Sequence, residues 1–546
     1  MASLSSLALY AISLAAVGFA IYRRITRYSI KHIRGPSGPF WLGNMRRFFY
    51  QDNVGDMDFQ YAKDYGLVWR MRGGLGEDVL AIADPKALQY IFHTSAYKFP
   101  KSVESDVSTR VIMGHSILGA DGHDHPRHRK VMNPAFSAPQ LRSFLPLFRE
   151  SGQKLCRMWK EQIFDGKAED HVIPVNKWLA RTTLDVIGQT AFQFDFGAMD
   201  DVKNELSEAY ENMFSDSLLY PTIGITLYRA SWRFLPRWLL KLVEYTPTRE
   251  YTRFRRTRRA IEKVSKVLVE NAMEEAKTVE LEKGKKDVMS VLVRANLSEN
   301  PSAQLSKYEM ISQMSALTLA GHETTANTLS WLLWELSKTP DYQVKLREEI
   351  RAKRSEIATK YGGGADFKME DLESMPFLQA MLKEVLRFHP IVYQVLRRAG
   401  RDDVIPLSQP ITTANGDVID QIPVGKGQSI LISVCMYNRI KSIWGEDADE
   451  FNPMRFLEGR VENTVKVGMY ANLMSFAAGP RGCIGWRFSL IEMQAILVSL
   501  IEHFEFSLPK EGIEVIRMPV GIMSPMVKGR LKEGVLLPLS VRPLDV

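Results

Sequence analysis

Apolar side chains recur three or four positions apart through most of the chain, and this spacing predicts a mainly helical protein. The clearest helical runs are Phe144–Trp159, Ile261–Ala276, Ile311–Leu336 and Phe377–Phe388. Short β-patterned runs at Leu80–Ala83, Ser429–Val434 and Val535–Val541 predict small sheets beside the helices. The charged stretch Thr278–Lys286 and the triplet Gly362-Gly363-Gly364 read as loops within one body, not as interdomain linkers. The N-terminus departs from this pattern. From Leu4 to Tyr22 there is no charged residue, and Arg23, Arg24, Arg27, Lys31 and Arg34 follow at once. A membrane-spanning helix needs about 20 apolar residues. Positive charge after the apolar run, instead of before it, argues for a retained anchor with the remainder on the cytosolic side. Gly35-Pro36-Ser37-Gly38-Pro39 cannot continue a helix and reads as a hinge. The expected organisation is an anchor with its basic flank over 1–34 and one large domain over 35–546.

Composition narrows the function classes. Hydrophobic residues make up 45% and charged residues 25% of the 546 positions, which excludes a disordered chain. The net charge of +8 fits an anionic membrane surface or an acidic protein partner better than nucleic acid. Only three cysteines occur, Cys156, Cys435 and Cys483, too few for a disulfide scaffold and in keeping with a reducing compartment. No phosphate-binding loop, no dinucleotide-binding G-x-G-x-x-G after a strand, no Cys-x-x-Cys and no His-Glu-x-x-His occurs. Redox chemistry here would therefore draw on an electron source outside the chain.

The cysteines separate by context. Cys156 falls in a helical run and Cys435 in an apolar strand, so both read as packing. Cys483 stands in Phe476-Ala-Ala-Gly-Pro-Arg-Gly-Cys-Ile-Gly485, a loop poor in side chains with a helical pattern after it. Backbone N–H groups at a helix entrance favour a thiolate. Gly482 and Gly485 leave room for a flat ligand, and Arg481 can pair with an anionic group on it. A thiolate is one of the few axial ligands by which protein holds haem iron. The second unusual stretch is Ala320-Gly-His-Glu-Thr-Thr325 inside the long apolar helix. A mid-helix glycine costs about 1 kcal/mol relative to alanine, and hydroxyls there can bond back to the ladder and open a local bulge.

The pattern Phe476-x-x-Gly479-x-Arg481-x-Cys483-x-Gly485 resembles the haem-binding signature of the cytochrome P-450 superfamily, the haem-thiolate monooxygenases. The resemblance covers the chain from about residue 35 onward and matches the microsomal type; Pro36–Asn44 and Tyr437–Phe456 are similar to fungal members. It implies a mainly α fold with small β-sheets, a single haem domain, and Cys483 as axial ligand of haem b. Glu323 and Thr324 would relay protons towards bound dioxygen, with Gly321 thinning the helix over the haem face. Glu384-x-x-Arg387 and Arg455, in Phe451-Asn-Pro-Met-Arg-Phe456, match the family's buried structural triad. His125, Arg129, Arg398 and Arg481 would meet the haem propionates, and Phe476 would border the haem. Arg397, next to Arg398, is the alternative at that position. Glu323 stands where many members have Asp, and Asn438-Arg439 where many have His-Arg.

The implied reaction inserts one oxygen atom of dioxygen into a substrate C–H or C=C bond. Electrons come from NADPH through a cytochrome P-450 reductase, with cytochrome b5 as an accessory partner, at the endoplasmic reticulum membrane. Ile112–Leu118, Ala316, Ala320, Ile391–Val395 and Val520–Met523 are the expected pocket, with Ser215–Trp232 as its lid. Most of these are apolar, which favours a lipophilic substrate, and specialised-metabolite (terpenoid-like) biosynthesis is the expected setting. Primary lipid, sterol or xenobiotic oxidation is one rival. A haem-thiolate isomerase or dehydratase working without a reductase is another. The basic run Arg253, Arg255, Arg256, Arg258 and Arg259 is the best support for a non-enzymatic membrane or nucleic-acid adaptor, but such a run more often forms a solvated or membrane-facing helix surface.

Overall fold

The structure is a computed structural model and describes residues 28–164, 170–200, 205–278, 287–459, 461 and 465–544. The predicted anchor at Leu4–Tyr22 lies outside these residues. Among the described residues no helix is long and apolar enough to cross a membrane.

Every predicted helical run lies within a longer helix. The helices that build the site are α1 (Val103–Met113), α2 (Asp124–Met132), α3 (Ala138–Trp159), α4 (Val175–Phe192), α5 (Arg249–Thr278), α6 (Lys307–Lys338), α7 (Pro376–Phe388) and α8 (Trp486–His503). A capping box starts α6: the Ser306 Oγ accepts from the Glu309 N–H at 3.2 Å, and the Glu309 carboxylate accepts from the Ser306 N–H at 2.8 Å. From there α6 runs through the centre of the body, buried along most of its length. It crosses α4 closely at Gly321, where a Cβ would come within 2.8 Å of the Ile187 side chain. The glycine therefore serves helix–helix contact with α4, not the expected thinning over a haem face. Helix α8 packs on α3 through Phe488, whose ring meets Phe148 edge-on at 4.9 Å.

The four-stranded sheet holds β1 (Val68–Arg72), β2 (Asp78–Ile82), β3 (Gln394–Arg398) and β4 (Ser429–Ser433) in the order β1-β2-β4-β3. β2 and β4 run parallel and the other neighbours antiparallel. The last β-patterned run becomes Pro538–Pro543, paired with His171–Pro174 and Phe504–Ser507. Cys435 does not lie on a strand as expected. β4 ends at Ser433, whose hydroxyl accepts from the Met436 N–H at 3.2 Å and caps a single turn, Val434–Tyr437. Cys435 and Cys156 are both buried, and burial pushes both thiols far above their ordinary range, so they are inert.

The basic run on α5 is largely occupied. Arg253 donates to the Glu211 carbonyl at 2.8 Å, Arg255 to the Thr246 carbonyl at 2.9 Å, and Arg258 to Glu262 at 2.7 Å and the Tyr308 hydroxyl at 2.7 Å. These arginines fasten α5 to its neighbours, which leaves little of an adaptor surface.

Candidate active site

The cysteine loop is two tight turns, Met474–Phe476 and Gly479–Arg481, closed by the Cys483 N–H donating to the Phe476 carbonyl at 2.9 Å. Phe476 itself is half-buried and meets Tyr470 edge-on at 6.2 Å. Gly479 has φ +62°, and a Cβ there would fall 1.9 Å from the Phe92 carbonyl oxygen, so only glycine fits. The room expected at two further glycines is found at one. At Gly485 the nearest atom to an added Cβ is Phe136 Cε1 at 3.8 Å, but at Gly482 the space is taken by the Met469 sulfur, 2.8 Å away.

Cys483 is exposed by area, yet protein surrounds it closely enough for burial to push its thiol above the usual range. The two observations agree if the thiol opens onto an enclosed concavity, not the outer surface. The Gly485 N–H and the Arg129 guanidinium pull the other way. Helix α8 begins at Trp486, three residues after the thiol, so the Gly485 N–H and Arg129 are the groups beside Cys483 that favour its ionised form.

Cations converge beside this loop. Arg129 on α2 donates to the Gly482 carbonyl at 2.8 Å. Arg481 pairs with Asp121 and lies 5.2 Å above the Tyr97 ring. Its Nε is buried and has no hydrogen-bond partner. His125 is buried 3.2 Å from the Tyr97 hydroxyl, and burial together with Arg481, Lys101 and Arg129 pushes it down to about 3, so it is neutral. Lys101 donates to the Ala120 carbonyl at 3.0 Å, and burial with Arg481 lowers it to about 7. Of the two neighbouring arginines on β3, Arg397 belongs to this cluster: it is buried, and burial and Arg481 lower it to about 10. Arg398 donates instead to the Lys101 carbonyl at 3.1 Å. Successive strand residues face opposite ways; Arg397 lies within reach of Arg481 and Asp121, while Arg398 meets the cluster at its edge through Lys101. Arg397, Lys101, Tyr97 and Asp121 were missed or left open by sequence reasoning. Only strand alternation could have signalled Arg397, and no local pattern marks the others.

The opposite wall is α6. Within this otherwise buried helix Ala320 is exposed, and the Thr324 hydroxyl donates back to the Ala320 carbonyl at 2.7 Å. The back-bond is as expected, but the helix continues unbroken from Lys307 to Lys338 without a bulge. Glu323 faces elsewhere. It borders a cavity of about 420 Å³ between α4, α6 and Tyr210–Ser215, beside His322, Asn327 and Arg181. Burial raises the Glu323 carboxyl to about 8, so it is largely protonated at neutral pH. His322 is neutral, its Nδ1 2.6 Å from the Thr318 carbonyl. Helix α2 is tied to α6 by Arg127 and His128, which reach Glu309 at 3.1 and 3.2 Å.

Glu384, Arg387 and Arg455 are each fully buried and in contact. Arg387 makes a two-pronged pair with Glu384 at 2.8 Å for both bonds, and the Arg455 Nε reaches both carboxylate oxygens at 3.2 Å. Their remaining donors go to the carbonyls of Asn438, Ala448, Glu450 and Asp447. The expected triad is thus a clamp on the backbone of 438–455. Two of the expected pocket segments are joined directly, the Met523 N–H donating to the Ile391 carbonyl at 2.8 Å. A third, at Ile117, is held against α6 through the Gln313 side chain at 2.9 Å.

These residues fit a haem. The open Cys483 thiol suits iron. The guanidinium groups of Arg129, Arg397 and Arg481 outnumber Asp121, the carboxylate that pairs with Arg481, and the unpartnered Arg481 Nε suits a propionate. Comparison with known proteins agrees. The Cytochrome P450 family model matches residues 33–532. Cytochrome P450 monooxygenase 205 of Postia placenta is 33% identical over 555 residues, 98% of each chain. Cytochrome P450 monooxygenase claO of Ampulloclitocybe clavipes is 31% identical, covering 94% of this chain and 93% of that one. A ganoderic acid synthetase of Ganoderma lucidum is 31% identical, covering 93% of this chain and 94% of its own. On a family match spanning nearly the whole chain and relatives of the same length, this protein belongs to the cytochrome P450 family and is a haem-thiolate monooxygenase.

Proposed function

We propose that this monooxygenase hydroxylates or epoxidises a lipophilic small molecule of specialised, terpenoid-like metabolism, with electrons from NADPH through a separate reductase and cytochrome b5 as an accessory donor. The observation that carries the reading is the exposed Cys483 thiol beside clustered cations, with a buried Arg481 donor left unpartnered. When bound, the haem supplies the oxygen-activating chemistry. The chain's own residues do the rest. Cys483 holds the iron. Arg129, Arg397, Arg481 and Lys101 hold the propionates, and neutral His125 completes their wall. Thr324 offers its hydroxyl beside Ala320, and protonated Glu323 brings a proton to the outer face of the same turn. The name of one relative, a ganoderic acid synthetase, supports a specialised-metabolite setting over primary lipid, sterol or xenobiotic oxidation. The protonated Glu323 next to Thr324 favours a reductase-dependent reaction over the isomerase or dehydratase, which needs no relay. The Leu4–Tyr22 segment anchors the chain in the endoplasmic reticulum membrane with the domain in the cytosol, a reading supported by the basic residues after it. A microsomal screen of terpenoid, steroid and fatty-acid libraries by substrate-induced haem spectral shift tests the proposal. Terpenoid responders with NADPH-dependent turnover are expected, and turnover without NADPH would overturn it.

A further inference from the structure

One buried acid is used by nothing described so far. Glu492 lies on α8, the helix that follows the cysteine loop. It is 0% exposed, and neither carboxyl oxygen has a hydrogen bond. A buried polar group without a partner is rare in native proteins and calls for a reason. The polar side chain acting on it is Thr325 of α6, which favours its ionised form, while burial opposes ionisation far more strongly. No charged side chain acts on it from α3, α6 or Pro340–Tyr361, the helices packed against α8, or from Met369–Glu373 and Phe504–Ser507. An unpaired carboxylate in such a place is prohibitively costly, so the group stays neutral and keeps an O–H to donate.

Thr325 is one of two exceptions among the serine and threonine hydroxyls of α6, the other being Ser315, and it is the one that acts on Glu492. Along α6 the hydroxyls of Ser312, Thr318, Thr324, Thr328, Ser330 and Ser337 each donate to the carbonyl four residues earlier. The Thr325 hydroxyl is buried and makes no such bond. It is close enough to Glu492 to influence the carboxyl, yet the two are not in hydrogen-bonding geometry in this structure. A small rotation of either side chain satisfies both. Thr325 is adjacent to Thr324 and about 100° further round the helix. A bond made there therefore fixes the turn that presents Thr324.

We propose that Glu492 is a protonated positioning residue, whose carboxylic O–H bonds to the Thr325 hydroxyl and ties the helix behind Cys483 to the turn that presents Thr324. The inference rests on the Thr324 reading above and adds a residue to it. The chemistry required at position 492 is a neutral donor, not a charge.

The test uses infrared spectroscopy of the full-length holoenzyme with carbon monoxide on the ferrous haem. At neutral pH the wild type should show a carboxylic acid band that shifts on deuterium exchange, vanishes in Glu492→Gln and moves in Thr325→Val. A spectrum of Glu492→Gln identical to wild type in that region overturns the proposal. The C–O stretch of bound carbon monoxide reports the Thr324 turn. It should be the same in wild type and Glu492→Gln, which keeps a neutral donor, and should shift or split in Glu492→Leu, which has none. Unchanged position in Glu492→Leu, or an equal shift in both variants, also overturns the positioning role. Thr324→Ala is the control. If it leaves the C–O stretch unmoved, the placement of Thr324 beside the ligand fails, while the carboxylic acid band still tests Glu492 by itself.

Discussion

Arg129 and Cys483 share one short piece of backbone, since the guanidinium holds the carbonyl of Gly482, immediately before the thiol. Loss of the thiol leaves that loop folded but without an iron ligand. Cys483→Ala should therefore abolish the shifted Soret band of the reduced carbon monoxide complex, and a normal band in that variant would refute the ligand assignment. Thr324→Ala should retain haem and oxygen consumption while releasing more peroxide and less product. Equal coupling to wild type would remove Thr324 from the relay. Glu323 gives a pH prediction. Its carboxyl rises from 4.5 to about 8 on burial, so the folded protein keeps a proton that the unfolded chain has lost. That contribution is fully present below 4.5 and disappears as the pH climbs through about 8. The side chain is 17% exposed, towards the cavity beside α4, which trims the effect. Wild type should lose stability relative to Glu323→Gln across this window in thermal denaturation, and a constant difference would mean that the carboxyl is not raised. At this scale the sequence was legible where chemistry sits on one contiguous run. Cys483, Arg481 and Gly479 could be read from one loop. Arg397, Lys101 and Asp121 could not, because three separate segments bring them together and only the folded sheet shows which face of β3 points inward.

Between elements, the crossing of α6 and α4 decides what Gly321 is for. A methyl there improves helix propensity by about 1 kcal/mol but meets Ile187 at 2.8 Å. Overpacking of this kind costs about 1–3 kcal/mol. Gly321→Ala should therefore lower the melting temperature, and Ile187→Val, which removes the closest methyl, should restore part of the loss. A melting temperature raised by Gly321→Ala would show that the helices part freely. The triad acts between elements too. Arg455→Ala leaves Glu384 and the carbonyls of 438–455 short of a donor at a cost of about 3–5 kcal/mol. Little folded, haem-loaded protein is expected, as judged by the Soret-to-protein absorbance ratio, and wild-type loading would contradict the clamp. The helices were legible from apolar spacing because each buries a wide face. The end of β4 was not: apolar residues continue past Ser433 into Cys435, and only the Ser433 cap shows where the strand stops. Gly321 was misassigned for a similar reason, since spacing marks a glycine as unusual without saying which neighbour needs the room.

At the scale of the whole molecule, one body carries every residue of the site, and the proposed anchor precedes it. The structure corrects the expected boundary at 34, since Ile30 and Ile33 are buried in the core and the Arg34 carbonyl accepts from the Arg70 N–H at 2.9 Å. A chain lacking only residues 1–27 should therefore keep its haem spectrum but be extracted from microsomes by alkaline carbonate. Retention of the shortened chain in the membrane pellet would transfer the anchoring to the domain itself. The expectation of a single domain rests on the absence of any linker-like tract in the apolar periodicity after Pro39. The bond from Arg129 to Gly482 spans 353 residues of chain. At 5–20 residues per second, the ribosome needs roughly 18–70 s to make the second half of that contact after the first. Throughout that interval α2 exists without its partner: Lys101 and Arg129 are made early, Arg397 follows late, and Arg481 arrives only with the loop itself. Haem capture is then a late event in the protein's biogenesis, following synthesis of the cysteine loop, and a shortage of haem would leave a nearly finished fold with a buried, unpartnered Arg481 donor, a natural substrate for quality control.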